Sequence, residues 1–276
     1  MSESGQRDER VPLAHAVQDP GAATHEPDAT MEATPSAGFE WTDATRFAVY
    51  YAPAAGSPWW EAGCQWLGRD PQTGSVLTPP VLDALSQRGT DVPALTGAPS
   101  RYGWHGTLVA PARCAAGVSP SQVLASTHEW AATQAGFSLS VEAASLGQFV
   151  ALRPSTDEGA AAIREIASSA LITLGPLRDR PTAQEVERRL GSNLTGRQRE
   201  MLTEWGYPYV FDEFRFHMTL SNSLDDDADR HAIRDWWNTR IAALGPLEID
   251  GVALFVEPAP GQPFVLWARV ALGAQR

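Results

Sequence analysis

Lysine is absent from the 276-residue sequence, so all 21 basic residues are arginines. A cationic contact to a phosphate must therefore come from a guanidinium group, which can bind two oxygens at once. The net charge is -12, of which residues 1–44 carry -7 and the remaining residues carry -5. The main body is thus mildly acidic, and we expect no long nucleic-acid partner, because such binding rests on a basic surface.

Other features are missing, and each absence excludes a class of protein. No apolar run reaches about 18 residues, so we expect no membrane span. The N-terminus shows no basic segment followed by an apolar one, so we expect no secretory signal and a cytoplasmic location. The cysteines, Cys64 and Cys114, lack metal-type spacing and are expected to be reduced thiols. A Gly-x-Ser-x-Gly nucleophile elbow and a P-loop are also absent.

The first 44 residues are rich in Ala, Gly, Pro, Ser and acids, with few large apolar side chains. Such a composition cannot offset the entropy lost on ordering, so we predict a disordered acidic tail over residues 1–44. Residues 45–276 are predicted to fold as one domain with two lobes, since 43% of the chain is hydrophobic.

Two halves of this domain show a similar order of predicted elements. Each half has a strand that carries a histidine, then a helix, and ends on two strands, with further helices between the halves. Such an order is typical of an α+β fold with antiparallel sheets. We therefore predict an internal duplication, with two antiparallel sheets that face each other across a central cleft.

Local signals mark several helix starts. Ser57 and Ser119 each combine a capping hydroxyl with a following proline. The capping-box patterns Thr182–Glu185 and Thr195–Gln198 predict two more helices. Residues 80–100 predict instead a short helix and a loop rich in proline and glycine.

Two stretches, Arg101–Val109 and Phe214–Ser221, read RYGWHGTLV and FRFHMTLS. Both follow the order aromatic, His, small or apolar, Thr, Leu. Aromatic, threonine and aliphatic residues favour β-strands, so we predict that each stretch is a strand. The two patterns lie 112 residues apart, so local sequence drift does not explain their similarity.

Side chains two positions apart share one face of a strand. His105 and Thr107 would therefore face one cleft, and Arg215, His217 and Thr219 would do the same on the second strand. Two imidazoles with neighbouring hydroxyls are suited to acid–base catalysis at one phosphorus atom. The hydroxyls would donate to phosphoryl oxygens, and an arginine near either motif would offset the growing charge.

A single His-x-Thr pattern would more simply be a hydrogen-bonded structural histidine, and the repetition is what favours a function. A zinc site would need three or four ligands, which two histidines do not supply. The other four histidines lack this context, and we expect structural or solvent-exposed roles for them.

Both His-x-Thr stretches resemble the signature of the two-histidine (2H) phosphoesterase superfamily. The resemblance is closest to a family of uncharacterised proteins encoded beside phosphonate-degradation (C–P lyase) genes, and it covers residues from about 46 to 272. The segments that carry it are Trp66–Asp70, Arg101–Pro111, Trp205–Leu220 and Ala253–Pro260.

The resemblance implies a bilobal, pseudo-symmetric fold with helices outside and both motifs on the floor of the cleft. It implies hydrolysis of a small cyclic phosphate, with no metal or other cofactor. For the phosphonate-linked branch, the implied substrate is 5-phosphoribosyl 1,2-cyclic phosphate. We expect a monomer in which four residues are catalytic and two arginines bind substrate: His105, Thr107, His217, Thr219, Arg101 and Arg215.

The sequence departs from the usual pattern at four positions. Where relatives read His-Ala-Thr-Leu-Lys, this chain has Gly106 and Val109. On a regular strand Val109 would face the cleft, so a cation often present there is missing. Ser221 and Asn222 replace the usual Thr-Gly. Two alternatives stay open: an RNA 2′,3′-cyclic phosphodiesterase or ligase-like enzyme, and a module that binds a phosphosugar or nucleotide without turnover.

Overall fold

The computed structural model describes residues 39–191 and 193–273, and the predicted tail before residue 39 lies outside them. Within these ranges the strands are β1 (Arg46–Tyr51), β2 (Gly106–Ala112), β3 (Phe137–Leu139), β4 (Val141–Leu146), β5 (Phe149–Pro154), β6 (Met218–Thr219), β7 (Leu247–Ile249), β8 (Gly251–Glu257) and β9 (Val265–Ala271). The helices are α1 (Pro58–Leu67), α2 (Asp83–Ser86), α3 (Val92–Tyr102), α4 (Pro120–Ala132), α5 (Asp157–Leu174), α6 (Ala183–Leu190), α7 (Gly196–Trp205) and α8 (Asp227–Leu244).

Both halves of the chain contribute to one seven-stranded sheet, in the order β4-β5-β6-β2-β1-β8-β9. All of its pairings are antiparallel, and β3 pairs with β7 in a separate two-stranded sheet. The predicted α+β class with antiparallel strands is confirmed, but the two halves share one large sheet instead of forming two sheets that face each other across a cleft. The strands of the two halves are joined edge to edge, because β2 and β6 pair at Gly106 and Met218.

The hairpins are exchanged between the two halves. The hairpin β4–β5 of the first half flanks β6, which follows the second histidine. The hairpin β8–β9 of the second half flanks β1. Each part of the sheet therefore needs strands from both halves of the sequence, and the two His motifs lie next to each other at its centre.

Helix starts follow the local signals. The Ser57 side chain caps α1, and Ser119 forms a capping box at α4. Thr182 and Thr195 form the predicted capping boxes at α6 and α7. These four predictions are confirmed. Local sequence could predict them because a capping side chain bonds to backbone N–H groups two or three residues away and depends little on the rest of the fold.

Residues 92–102 form α3, where the sequence predicted a loop and the start of the first His strand, so that prediction is wrong. Pro93 lies in the first turn, where proline costs no helical hydrogen bond. Pro99 lies inside the helix and offers no N–H to the Leu95 carbonyl, which accepts instead from the backbone N–H of Asn222 at 2.7 Å. The helix thus depends on a residue more than 100 positions away, which local patterns do not reveal.

The Asn222 side chain adds two more contacts to α3. Its Oδ1 accepts from the Ala98 N–H at 2.8 Å, and its Nδ2 donates to the Ala94 carbonyl at 3.1 Å. A glycine, usual at this position in the resembling family, would make neither contact. The departure at Asn222 therefore serves the packing of α3 against the end of the second motif.

A cluster of tryptophan rings, some stacked and some edge-on, lies in the core: Trp59, Trp66, Trp104, Trp236 and Trp237. Gly63 of α1 packs so closely on the Trp104 ring that a Cβ there would lie 2.1 Å from it. The Trp66 indole donates to the Leu220 carbonyl at 2.8 Å. Because Trp104 directly precedes His105, this cluster ties α1 to both His motifs.

Residues 39–44 fall within the predicted tail, yet they contact the core. Trp41 packs edge-on against Trp267, with ring centroids 5.1 Å apart. Thr45 is buried, and its hydroxyl donates to the Pro258 carbonyl at 3.0 Å. The packed region therefore begins before the predicted boundary at residue 45.

Helix α5 is long and apolar enough to cross a membrane by length and composition, with a mean hydropathy of 1.2. Ile163 and Ala170 of this helix are fully buried, and α5 packs against β2. One face of α5 thus packs against the sheet, as in an amphipathic helix.

Candidate functional site

A cavity of about 890 Å³ opens where β1, β2 and β6 lie side by side. This volume is in the range of small-molecule binding sites. Four of the six predicted site residues line the cavity: Arg101, His105, Thr107 and Thr219. The other two, His217 and Arg215, lie outside its lining.

The two predicted catalytic histidines are held by the same type of hydrogen bond. Nδ1 of His105 lies 2.8 Å from the Gly103 carbonyl oxygen, and Nδ1 of His217 lies 2.9 Å from the Arg215 carbonyl oxygen. A carbonyl oxygen can only accept, so Nδ1 carries the proton in both rings. Among the described residues neither Nε2 has a hydrogen-bond partner. Each Nε2 can therefore take or give a proton.

Each histidine lies one residue before its strand rather than within it. β2 begins at Gly106, and β6 consists of Met218 and Thr219 alone. The predicted strands were too long at their N-terminal ends. At the first motif the chain turns from α3 into β2 at Gly103, whose φ of 79° favours glycine.

Electrostatics link the two histidines. His217 is half-buried beside the Phe149 ring, with centroids 5.8 Å apart. A positive charge on His217 would add to the lowering of the pKa of His105 that burial causes. The pairing of Gly106 with Met218, the residues that follow each histidine, brings them together.

Gly106 is required by the close approach of the second motif. A Cβ at this position would lie 2.4 Å from the Phe216 ring and 3.3 Å from Met218. Phe216 is buried and directly precedes His217. At Gly106 a ring from the second motif thus fills the space that a side chain in the first motif would occupy.

Tyr50 forms one wall of the site and was missed by the sequence analysis. Its ring stacks on the His105 imidazole, with centroids 3.9 Å apart and planes inclined by 26°. Burial raises the pKa of Tyr50 well above its usual value, so the hydroxyl stays neutral. No local signal marks this residue, because it meets the first motif only through the pairing of Tyr50 with Thr107.

Burial lowers the pKa of His105 to about 4. The hydrogen bond to Gly103 opposes this shift, and the charge on His217 adds to it. At neutral pH the His105 ring is therefore uncharged, which is the state that a general base needs.

The depressed pKa of His105 predicts a pH dependence of stability. The unfolded ring has a pKa of about 6.5, so between about 6.5 and about 4 the unfolded chain binds more protons than the folded chain. The free energy of unfolding should therefore fall as the pH falls through this window. The His105→Gln variant cannot take up this proton. The loss of unfolding free energy between about pH 7 and about pH 5, measured by urea titration, should therefore be smaller in this variant than in the unmodified protein.

The matched control is the same change at His128, an exposed histidine on α4. A decline that is as steep in His105→Gln as in the unmodified protein would show that His105 does not titrate in this way.

Two arginines of the cavity are fixed by one buried carboxylate. Glu257 is 0% exposed and accepts from Arg46 Nε at 2.5 Å, from the Arg101 guanidinium and from the Gly261 N–H at 3.0 Å. Arg101 also lies over the Tyr102 ring, at 5.1 Å from its centroid. Arg101 thus lines the cavity from the last turn of α3 in a fixed orientation, and Arg46 joins it although the sequence analysis did not single it out.

Three further arginines line the cavity: Arg113, Arg188 and Arg189. Arg113 contacts Glu185 at two points, 3.2 and 3.3 Å, and this lowers the pKa of Glu185 to about 2. Among the described lining residues five are arginines and Glu185 alone is acidic. The cavity is therefore cationic in a chain of net charge -12, which suits an anionic ligand.

Arg215 is exposed, and its Nη1 donates to the carbonyl oxygens of Asp212 at 2.6 Å and Phe214 at 2.8 Å. These bonds shape the backbone that leads into the second motif. A direct contact of Arg215 with substrate stays a prediction.

Val109 is 1% exposed and belongs to the core, whereas Ala110 lines the cavity. The expectation that Val109 faces the cleft is wrong, because β2 is irregular here. Tyr50 pairs with Thr107 while its neighbour Val49 pairs with Val109, so β2 contains one extra residue. This bulge reverses the alternation of side chains beyond Thr107. Val109 therefore takes no part in the lining of the cavity.

The described ranges show no group of three or more His, Cys, Asp or Glu side chains placed to hold a metal ion. Cys64 and Cys114 are free thiols, and burial raises the pKa of both.

The fold and the site together define an α+β protein with a cationic small-molecule cavity and two matched histidines. The chain belongs to the family described as "Protein of unknown function (DUF1045)", whose model matches residues 107–265. Thr107, His217 and Thr219 lie within this match, and His105 precedes it by two residues.

Curated relatives include two proteins named "Ribose 1,5-bisphosphate phosphokinase PhnN". The protein from Laribacter hongkongensis (strain HLHK9) is 39% identical over 225 residues, which cover 80% of this chain and 50% of the relative. The protein from Janthinobacterium sp. (strain Marseille) is 34% identical over 244 residues, which cover 84% of this chain and 51% of the relative. The chain thus spans about half the length of these curated relatives.

Proposed function

We propose that the protein is a metal-independent cyclic phosphodiesterase of the 2H type that opens a small cyclic phosphate. His105 and His217 would be its acid–base pair. The observation that carries this proposal is the matched pair of Nδ1–carbonyl hydrogen bonds, which leaves Nε2 of each ring for proton transfer. The same proposal places a monomeric enzyme in the cytoplasm, with 5-phosphoribosyl 1,2-cyclic phosphate as its substrate.

His105 would act as the general base, because its lowered pKa keeps it uncharged near neutral pH. Its Nε2 takes a proton from water while the water oxygen forms a bond to phosphorus. The bond from phosphorus to one sugar oxygen breaks on the opposite side, and Nε2 of a protonated His217 gives a proton to the departing oxygen. The step consumes one water and yields a phosphomonoester and a free hydroxyl.

Charge develops on the non-bridging oxygens during this step. The hydroxyls of Thr107 and Thr219 line the cavity and would donate hydrogen bonds to those oxygens. Arg46 and Arg101, held by Glu257, would offset the remaining charge without having to reorganise.

The name of the relatives supports a ribose ester as the substrate. It refers to ribose with phosphates on positions 1 and 5. Water attack on 5-phosphoribosyl 1,2-cyclic phosphate, with the oxygen at carbon 2 as leaving group, yields that compound. The PhnN name on both relatives also supports a place in phosphonate metabolism. The kinase activity in the name is not proposed for this chain, which has no lysine and hence no P-loop.

A substrate screen tests the proposal. The purified protein is incubated with 5-phosphoribosyl 1,2-cyclic phosphate, with nucleoside 2′,3′-cyclic phosphates and with RNA that ends in a cyclic phosphate, and ring opening is followed by ³¹P NMR. We expect the phosphoribosyl compound to open fastest, at the same rate with and without EDTA. Binding without opening would indicate a binding module, and a preference for RNA ends would indicate the RNA-processing alternative. Inhibition by EDTA would contradict metal independence.

A further inference from the structure

The cavity continues into a small recess beyond the far end of β2. The recess has a volume of about 20 Å³ and shares several lining residues with the main cavity, among them Arg46, Arg113 and Arg189. Thr107 lies near one end of β2 and Ala112 at the other. At about 3.3 Å per residue these ends are roughly 15 Å apart along the strand, so the cavity is longer than one phosphate group.

Arg178 contributes a buried donor to this recess. Its Nε is buried and has no hydrogen-bond partner among the described residues. Burial and, to a smaller extent, the positive charge of Arg189 together lower the pKa of Arg178 to about 10. Two guanidinium groups that repel each other, one with an unsatisfied buried donor, form an environment that an anion would stabilise.

Both carboxylates at the recess are engaged by Arg113 of the main cavity. Asp179 and Glu185 line the recess, and both pair with Arg113, at 3.5 and 3.2 Å. The segment that carries Arg178 is fastened to the end of β2 by backbone bonds, since the Asp179 N–H donates to the Arg113 carbonyl at 2.8 Å. The recess is therefore preformed rather than assembled on binding.

We infer that Arg178 and Arg189, with Arg46 at the edge, form a second phosphate subsite for a substrate that carries a phosphomonoester besides its cyclic phosphate. We call these three residues the distal subsite. The inference rests on the proposed function for the doubly phosphorylated substrate and for the position of its cyclic phosphate, and it adds the residues that hold the second phosphate. Ala110 and Pro111 line both the cavity and the recess and would lie under the sugar that joins the two phosphates.

Kinetics with two matched substrates test this subsite. We compare kcat/KM for 5-phosphoribosyl 1,2-cyclic phosphate with that for ribose 1,2-cyclic phosphate, which lacks the distal phosphate. Arg178→Gln and, on α6, Arg189→Gln should each reduce the preference for the phosphorylated substrate by about ten- to a hundredfold, because each removes a charge-assisted hydrogen bond. Arg180→Gln is the matched control, since Arg180 is exposed and does not line the recess.

Binding of ribose 5-phosphate, measured by calorimetry on the full chain, separates this inference from the proposed function. Weaker binding to both recess variants, with binding to Arg180→Gln unchanged, supports the subsite even if no cyclic phosphate is opened. An unchanged preference in both recess variants, or equal binding of ribose 5-phosphate to all of them, would overturn the subsite while leaving cyclic phosphate hydrolysis intact.

Discussion

Replacement of His105 by alanine is expected to lower the turnover of a small cyclic phosphate by about 10² or more, and replacement of His217 should do the same. Each ring presents one Nε2, and the in-line reaction needs one proton taken from water and one given to the leaving oxygen. Loss of either ring therefore removes one of two required proton transfers. The measurement is the rate of ring opening under saturating substrate.

The controls are alanine substitutions of His128 and His231, which are exposed on α4 and α8. The pH dependence adds a second test. The unmodified enzyme should show a bell-shaped profile, and each histidine variant should lose one limb. His105→Ala should remove the limb on the acid side, because His105 has the lowered pKa. If both single variants keep the unmodified rate on every cyclic phosphate that is opened, the assignment of the pair is wrong.

The second large effect is expected from Gly106→Ala, although alanine is the residue usual at this position in the resembling family. The new methyl group would lie 2.4 Å from the buried Phe216 ring. Overpacking of this kind costs about 1–3 kcal/mol of stability. Because Gly106 follows His105 and Phe216 precedes His217, relaxation of the contact would also push the two rings apart. Misplacement by about 1 Å can cost a factor of about 10² in rate.

Urea unfolding and ring-opening kinetics measure the two parts of this effect. Gly97→Ala on α3 is the matched control, since a Cβ there meets nothing within 4 Å. The double change Gly106→Ala with Phe216→Leu makes room for the methyl group and should recover part of the stability and activity. A single Gly106→Ala variant with unchanged stability and rate would show that this contact does not set the position of the histidines.

A common arrangement underlies both expectations. The pairing of β2 with β6 joins the two halves of the sheet at the residues that follow each histidine. The hairpin exchange, in which β4–β5 flanks β6 and β8–β9 flanks β1, buries this junction between strands of both halves. Changes at the junction therefore act on both imidazoles at once.

Much of the local structure could be predicted from the sequence. The caps at Ser57, Ser119, Thr182 and Thr195 depend on hydrogen bonds within one turn of helix, so residues near in sequence determine them. The repeated His-x-Thr pattern likewise marks its candidate residues without reference to distant partners, because a strand and its two-residue periodicity are local properties.

The tertiary structure decided the features that depend on distant partners. It placed Arg101 at the end of α3, whose interior proline is accommodated by Asn222. It buried Val109 through a bulge in the pairing with β1, and it brought Tyr50 onto the His105 ring.

The sequence by itself determined the α+β class, the helix starts and the two histidine motifs. Apart from Arg101, the arginines of the cavity and its recess came from the tertiary structure, because Arg46, Arg178 and Arg189 belong to segments that meet only through long-range strand pairing and packing. Local patterns carry the first kind of information, since they depend on neighbouring residues. Which arginines meet in the cavity depends instead on the register between strands that are far apart in the chain, and the packing of the whole core sets that register.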